Sequence, residues 1–232
     1  MKAPARTLRF TTLALGLAVA SALPAQTIDF LTTNGGFTTQ NIVGNNPWTW
    51  TAGQGWRANG STTVARSRLL SPILTASGGA FSISATHRYN FEDALTLTPP
   101  VCFDGGVVFA SINGGAFAAL APTSGKGYDG VLSSTFSNPL AGQQAFCGNR
   151  SAADQISIWA GTLAAGTTIQ LALDGAWDSS VSNLNPNWNI RSVSLSGFGA
   201  APNVVPEPGT YVLMATGLAG LAAIRRRRAT KA

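Results

Sequence analysis

The sequence predicts an all-β fold, an antiparallel sandwich of two sheets. Three observations point to it. Short runs rich in Val, Ile, Phe and Thr are separated by turn clusters of Gly, Asn, Pro and Ser. Phe81-Ser82-Ile83-Ser84-Ala85, Ile156-Ser157-Ile158 and Val193-Ser194-Leu195-Ser196 alternate apolar and polar residues, as expected of sheets with one buried and one wet face. No segment between the two ends of the chain sustains a 3.6-residue apolar period.

At the N-terminus, Lys2, Arg6 and Arg9 lead into an apolar run from Phe10 to Ala22. Ala20-Ser21-Ala22 and Leu23-Pro24-Ala25 then offer small-residue cleavage sites. This is the order of a secretory signal peptide, residues 1–25, with a short helix cut after Ala25, or after Ala22 as the second choice. A retained anchor is the alternative, but the short run and Pro24 suit removal. Arg6 and Arg9 are not adjacent, so a twin-arginine route is not indicated.

The body, residues 26–200, suits one domain large enough for a real core. Its candidate strands are Ile28–Thr32, Arg68–Leu70, Ala80–Thr86, Gly106–Ile112, Phe117–Leu120, Gln155–Ala160, Thr167–Leu173 and Asn189–Leu195. Asn113-Gly114 is a strong hairpin signal, since both residues tolerate the positive φ of a tight turn. Neither an internal linker nor a solenoid repeat interrupts the body.

The C-terminal part, residues 201–232, is tripartite. Pro206 and Pro208 flank Glu207, fix φ and lack an amide donor, so this stretch should be extended and accessible to a processing enzyme. Tyr211 to Ile224 is uncharged, and as a single hydrophobic helix it spans roughly 21 Å against a hydrocarbon core of about 30 Å. Arg225, Arg226, Arg227 and Arg228 close it and would stay cytoplasmic. A buried helix with a basic end and a plain tail anchor are the two blander readings. The pattern resembles the PEP-CTERM sorting domain of Gram-negative bacteria. That resemblance implies an exosortase as partner, cutting near Pro206-Glu207-Pro208. It also implies transient anchoring in the inner membrane, then release or attachment at the cell surface, often beside exopolysaccharide production.

These two ends change the charge argument. The chain holds 15 Lys+Arg against 9 Asp+Glu, but the body alone holds 7 bases against 8 acids. The positive charge belongs to the terminal signals, and a nucleic-acid partner loses its main support.

Within the body, several ordered stretches resemble a known module. They are Leu70-Ser71-Pro72, His87-Arg88-Tyr89-Asn90-Phe91-Glu92, Asp104-Gly105-Gly106-Val107-Val108, Gly127-Tyr128-Asp129-Gly130, Asn138-Pro139-Leu140-Ala141-Gly142 and Asn187-Trp188-Asn189-Ile190. Together they look like the MAM-like, concanavalin A-type jelly roll that accompanies extracellular metallopeptidases of the immune inhibitor A type. The resemblance implies an accessory or adhesive sandwich, not a catalytic unit. This chain departs from that family after the last Trp-x-Ile, where Arg191 and Ser192 replace acidic residues. If those acids help to hold calcium, part of a site is lost, though Asp29, Glu92 and Asp104 still offer hard oxygen ligands. Ordinary turn carboxylates are the alternative reading, and no cofactor is assigned.

No catalytic motif emerges. His87, the one histidine, lies in a strand-like segment with no Gly-x-Ser-x-Gly or His-Glu-x-x-His pattern, so a packing or hydrogen-bonding role is expected. Among Glu92, Asp93, Asp104, Asp129, Asp154, Asp174 and Asp178, no spacing favours a glycosidase pair. Cys102 and Cys147 are expected to form a disulfide in an exported protein, worth roughly 4 kcal/mol by loop-closure entropy. Trp48, Trp50 and Trp56 cluster in a polar, glycine-rich region and are either a sugar-stacking platform or aromatic packing under a loop. Trp159, Trp177 and Trp188 belong to strands and the core. The leading reading is a non-enzymatic surface or matrix protein. The runner-up is a carbohydrate-binding or carbohydrate-active module acting on exopolysaccharide or surface glycans.

Overall fold

A computed structural model describes residues 25–183 and 185–199. The expected signal helix and C-terminal helix lie outside the described residues.

The chain forms β1 (Gln26–Asp29), β2 (Thr38–Val43), β3 (Thr49–Thr51), β4 (Gly55–Ala58), β5 (Ala65–Leu70) and β6 (Leu74–Thr75). It continues with β7 (Gly79–Phe91), β8 (Asp93–Ala94), β9 (Val101–Cys102), β10 (Gly105–Ile112), β11 (Ala118–Ala119) and β12 (Ser124–Gly125). The last six are β13 (Gly130–Leu132), β14 (Gln144–Ala145), β15 (Gly148–Asn149), β16 (Gln155–Leu163), β17 (Thr168–Trp177) and β18 (Trp188–Ser196). Every strand expected from the sequence is present, although the residue bounds move.

One sheet runs β12-β16-β7-β18-β4-β3, with β1 on β18 and β15 on β7; the other runs β11-β10-β17-β5-β2, with β6 on β17. The successive long strands β5, β7, β10, β16, β17 and β18 alternate between the two sheets. All their pairings are antiparallel. A small third sheet, β14-β13-β9-β8, contains the short parallel pair β9–β13.

The alternation that identified β7 also sets the core. Ile83, Ala85, His87, Tyr89 and Phe91 point inward, while the residues between them are half-buried. From β18, Trp188, Ile190, Val193 and Leu195 join them, and a bulge between Ile190 and Ser192 keeps all four inside despite their odd spacing. The opposite sheet answers with Val108, Leu171, Leu173 and Trp177. Gly106 and Gly175 sit opposite one another on β10 and β17. A Cβ on Gly106 would lie 2.6 Å from the Trp188 ring, so a bare backbone lets this tryptophan reach the facing sheet. The Trp177 ring covers Gly175 in the same manner.

The outer face of the second sheet is also organised. Asp174 is fully buried and takes 2.6–2.9 Å hydrogen bonds from Arg66 and Arg68 of β5. Both guanidinium groups lie over the Phe109 ring, and Arg68 also lies over Phe117.

The Asn113-Gly114 turn forms as expected, with φ of 51° and 71° and a 3.0 Å bond from the Gly115 N–H to the Ile112 carbonyl. Cys102 and Cys147 form a disulfide across 45 residues, tying β9 to the link between β14 and β15.

Of the two readings of the Trp48, Trp50 and Trp56 cluster, their burial fits packing under a loop rather than a stacking platform. Trp48 and Trp56 are 3% and 6% exposed, and Trp48 packs against Trp188 with ring centroids 5.5 Å apart. Trp50 is half-buried against the core. The indole N–H groups of Trp48, Trp50 and Trp56 donate to the carbonyls of Ser67, Phe30 and Asn34. Polar neighbours in the sequence left both readings open; the chain around the β3–β4 hairpin turns these rings inward.

Candidate functional sites

Three carboxylates meet at one end of the sandwich. Glu92 follows β7, Asp104 precedes β10 and Asp178 follows β17, so each ends a strand. The Gly105–Ala176 register of β10 and β17 brings Asp104 beside Asp178, whose N–H donates to Asp104 Oδ1 at 2.9 Å. The carbonyl of Glu92 accepts from the N–H groups of Phe103 and Asp104 at 3.1 and 3.2 Å. One carboxylate oxygen from each of the three lies within 4.8 Å of the others.

The electrostatics of this cluster are unusual. Asp104 and Asp178 are 0% and 1% exposed, and Glu92 is half-buried. Burial, with the charges of Asp178 and Glu92 adding to it, pushes the Asp104 carboxyl up to about 8 despite the hydrogen bond from Asp178. Burial and the charge of Asp178 likewise raise Glu92.

Of the acids the sequence offered as ligands, the fold brings together Glu92 and Asp104 but not Asp29. Asp29 accepts the Leu31 N–H in a turn after β1. Asp178 completes the cluster, and nothing in its sequence neighbourhood marks it. Only the β10–β17 register places it there. A glycosidase reading is not favoured by this geometry, because Asp104 and Asp178 are both buried.

A second feature is a polar groove of about 410 Å³ beside the outer ends of β7 and β18. Arg88, Asn90, Asn149, Ser151, Asn185 and Asn189 line it, with Tyr89 at its base. Arg88 is oriented by a 2.6 Å ion pair with Asp154, which Arg191 also approaches at 3.4 Å. Asn189 donates to the carbonyls of Gln54 and Trp56 and so braces the β4 edge. Apart from Tyr89 and Pro186, the groove is lined by amide, hydroxyl and guanidinium side chains.

His87 lies in the core against Tyr89 and Phe146 and is 1% exposed. Its Nδ1 accepts from the Trp188 indole at 3.1 Å, and Nε2 lies 2.9 Å from Ser157 Oγ. Burial, reinforced by the charge of Lys126, lowers it to about 3, with Asp154 opposing. It is therefore a neutral core residue, as the sequence suggested.

Residues 204–228 match the family described as the PEP-CTERM protein-sorting motif. The match contains Pro206, Glu207, Pro208 and Arg225 to Arg228, all outside the described residues. Such a motif marks an exported protein that is sorted by exosortase. No curated protein matches the chain.

Proposed function

We propose that the chain is an exported, exosortase-processed protein of the cell surface or extracellular matrix. The body, residues 26–200, is its structural or adhesive module and performs no catalysis. The sorting motif at residues 204–228 carries this reading. Residues 1–25 are the signal peptide, and residues 201–232 are the sorting segment. Exosortase acts near Pro206-Glu207-Pro208 while Arg225, Arg226, Arg227 and Arg228 hold the tail in the inner membrane. The Cys102–Cys147 disulfide suits an oxidising compartment. We read the body as akin to the MAM-like, concanavalin A-type accessory modules, a reading that the alternation of long strands between two sheets supports.

The test is a fractionation blot with terminal mass spectrometry in cells with and without exosortase. The mature chain should begin after Ala25 and lack the Arg225–Arg228 block only where exosortase is present. Full-length protein retaining that block in both strains overturns the reading.

A second reading, binding of exopolysaccharide or surface glycans, is favoured by the polar groove rather than by the buried tryptophans. Electrophoresis through gels containing the host's exopolysaccharide should retard the wild type, and Arg88→Ala with Asn149→Ala should migrate freely. Equal retardation of wild type and variant excludes the groove.

A further inference from the structure

Asp104 Oδ2 and Asp178 Oδ2 are buried and have no hydrogen-bond partner among the described residues. Their other oxygens are satisfied: Asp104 Oδ1 accepts the Asp178 N–H, and Asp178 Oδ1 accepts the N–H and Oγ–H of Ser180 at 2.7 and 2.9 Å. Basic side chains do not compensate them. The ion pairs of the described residues serve Asp129, Asp154 and Asp174, and none reaches Glu92, Asp104 or Asp178. Buried carboxylate oxygens without donors or counter-charges are strongly disfavoured, and a native fold retains them where something else binds there.

We propose that Glu92, Asp104 and Asp178 form a calcium site that fastens the end of β7 in one sheet to the ends of β10 and β17 in the other. The ligand chemistry selects the ion. All three donors are hard oxygens, with no imidazole or thiolate, which disfavours zinc. Calcium–oxygen bonds of 2.3–2.6 Å let one ion bridge oxygens up to about 5 Å apart, so one oxygen from each of the three acids, all within 4.8 Å of one another, can reach a single ion. Magnesium demands near-ideal octahedral geometry and releases its water reluctantly, which suits three carboxylates fixed by separate strands less well. Waters and the flexible Glu92 side chain complete the coordination. The ion is structural, because each carboxylate terminates a different strand and two of them are sealed from solvent.

The experiment is a thermal melt of the full-length chain in mild detergent, in EDTA, in 10 mM calcium chloride and in 10 mM magnesium chloride. With an affinity typical of extracellular calcium modules, calcium should raise the Tm by about 3–10 °C and magnesium by less. Asp104→Asn and Asp178→Asn each keep the Oδ1 acceptor and replace the partnerless oxygen with an N–H donor facing the remaining acids. Each variant should therefore melt at or above the wild type in EDTA and lose the calcium response. Glu92→Gln, at the half-buried member, serves as the variant least able to disturb folding. No calcium shift in the wild type overturns the site, as does an equal shift with magnesium or an undiminished shift in Glu92→Gln.

Discussion

Trp188→Ala should lower the stability of the body by about 5 kcal/mol, a fall of about 10–20 °C in Tm for a domain of this size. The side chain is 1% exposed and its ring meets Trp48, His87, Phe91 and Phe146 at centroid distances of 5.5–6.1 Å. Truncating a buried tryptophan costs about 3–5 kcal/mol through lost transfer energy and the cavity left behind. Two local features place this residue at the upper end. The ring lies against the bare backbone of Gly106 on the facing sheet, where no side chain can swing in to fill the space. Its indole N–H also satisfies His87 Nδ1, which would be left unpaired in the interior at about 1–3 kcal/mol. Urea unfolding measures the loss. Trp188→Phe should recover much of it by restoring ring volume without the N–H. A loss below about 2 kcal/mol would show that this ring does not join the two sheets.

What made this core legible was the wet outer face of its strands. Phe81 to Ala85 alternate because every second residue of β7 meets solvent, and the same holds for Val193 to Ser196 of β18. β2 lacked such a signal: Thr38–Val43 is exposed along its whole length, so no apolar period marks it. The two-residue strands β6, β8, β9, β12, β14 and β15 are too short to show any period, and β11 alone of that length was marked. Trp48 and Trp56 mark the limit of local reading, since their spacing says nothing of the Trp188 ring and carbonyls that enclose them. The cysteine pair was legible because the chain has only two. The acid cluster was half legible. Glu92 and Asp104 lie beside recognisable strand ends, whereas Asp178 depends on a strand register that no local pattern encodes.

Acid should remove a second large contribution, through His87. The Trp188 indole can only donate, so His87 Nδ1 must accept and the ring proton resides on Nε2. Nε2 then donates to Ser157 Oγ, whose own hydroxyl donates to the Lys126 carbonyl at 2.6 Å. A second proton on the ring would set two donors, Nδ1–H and the indole N–H, against each other in a buried site. This agrees with a native imidazole held near 3 by burial, against 6.5 in the ordinary state. Between those values the unfolded chain binds a proton that the native chain does not, so stability falls as pH falls through that window and is unaffected above it. The loss is roughly 3 kcal/mol by pH 4 and roughly 4 kcal/mol near pH 3. Asp104 acts with the opposite sign, because its carboxyl is raised to about 8 and the native state takes up its proton first as pH falls. The two slopes overlap, so the raw pH profile of the wild type will hide the histidine. Comparison with His87→Gln in EDTA separates them, since both chains share Asp104 and only one carries the imidazole. The advantage of wild type over variant should be constant from pH 8 to 7 and shrink steadily below 6.5. A gap that stays constant down to pH 4 would mean that the imidazole can take a proton in place, and that the Trp188–His87–Ser157 chain is not oriented as described.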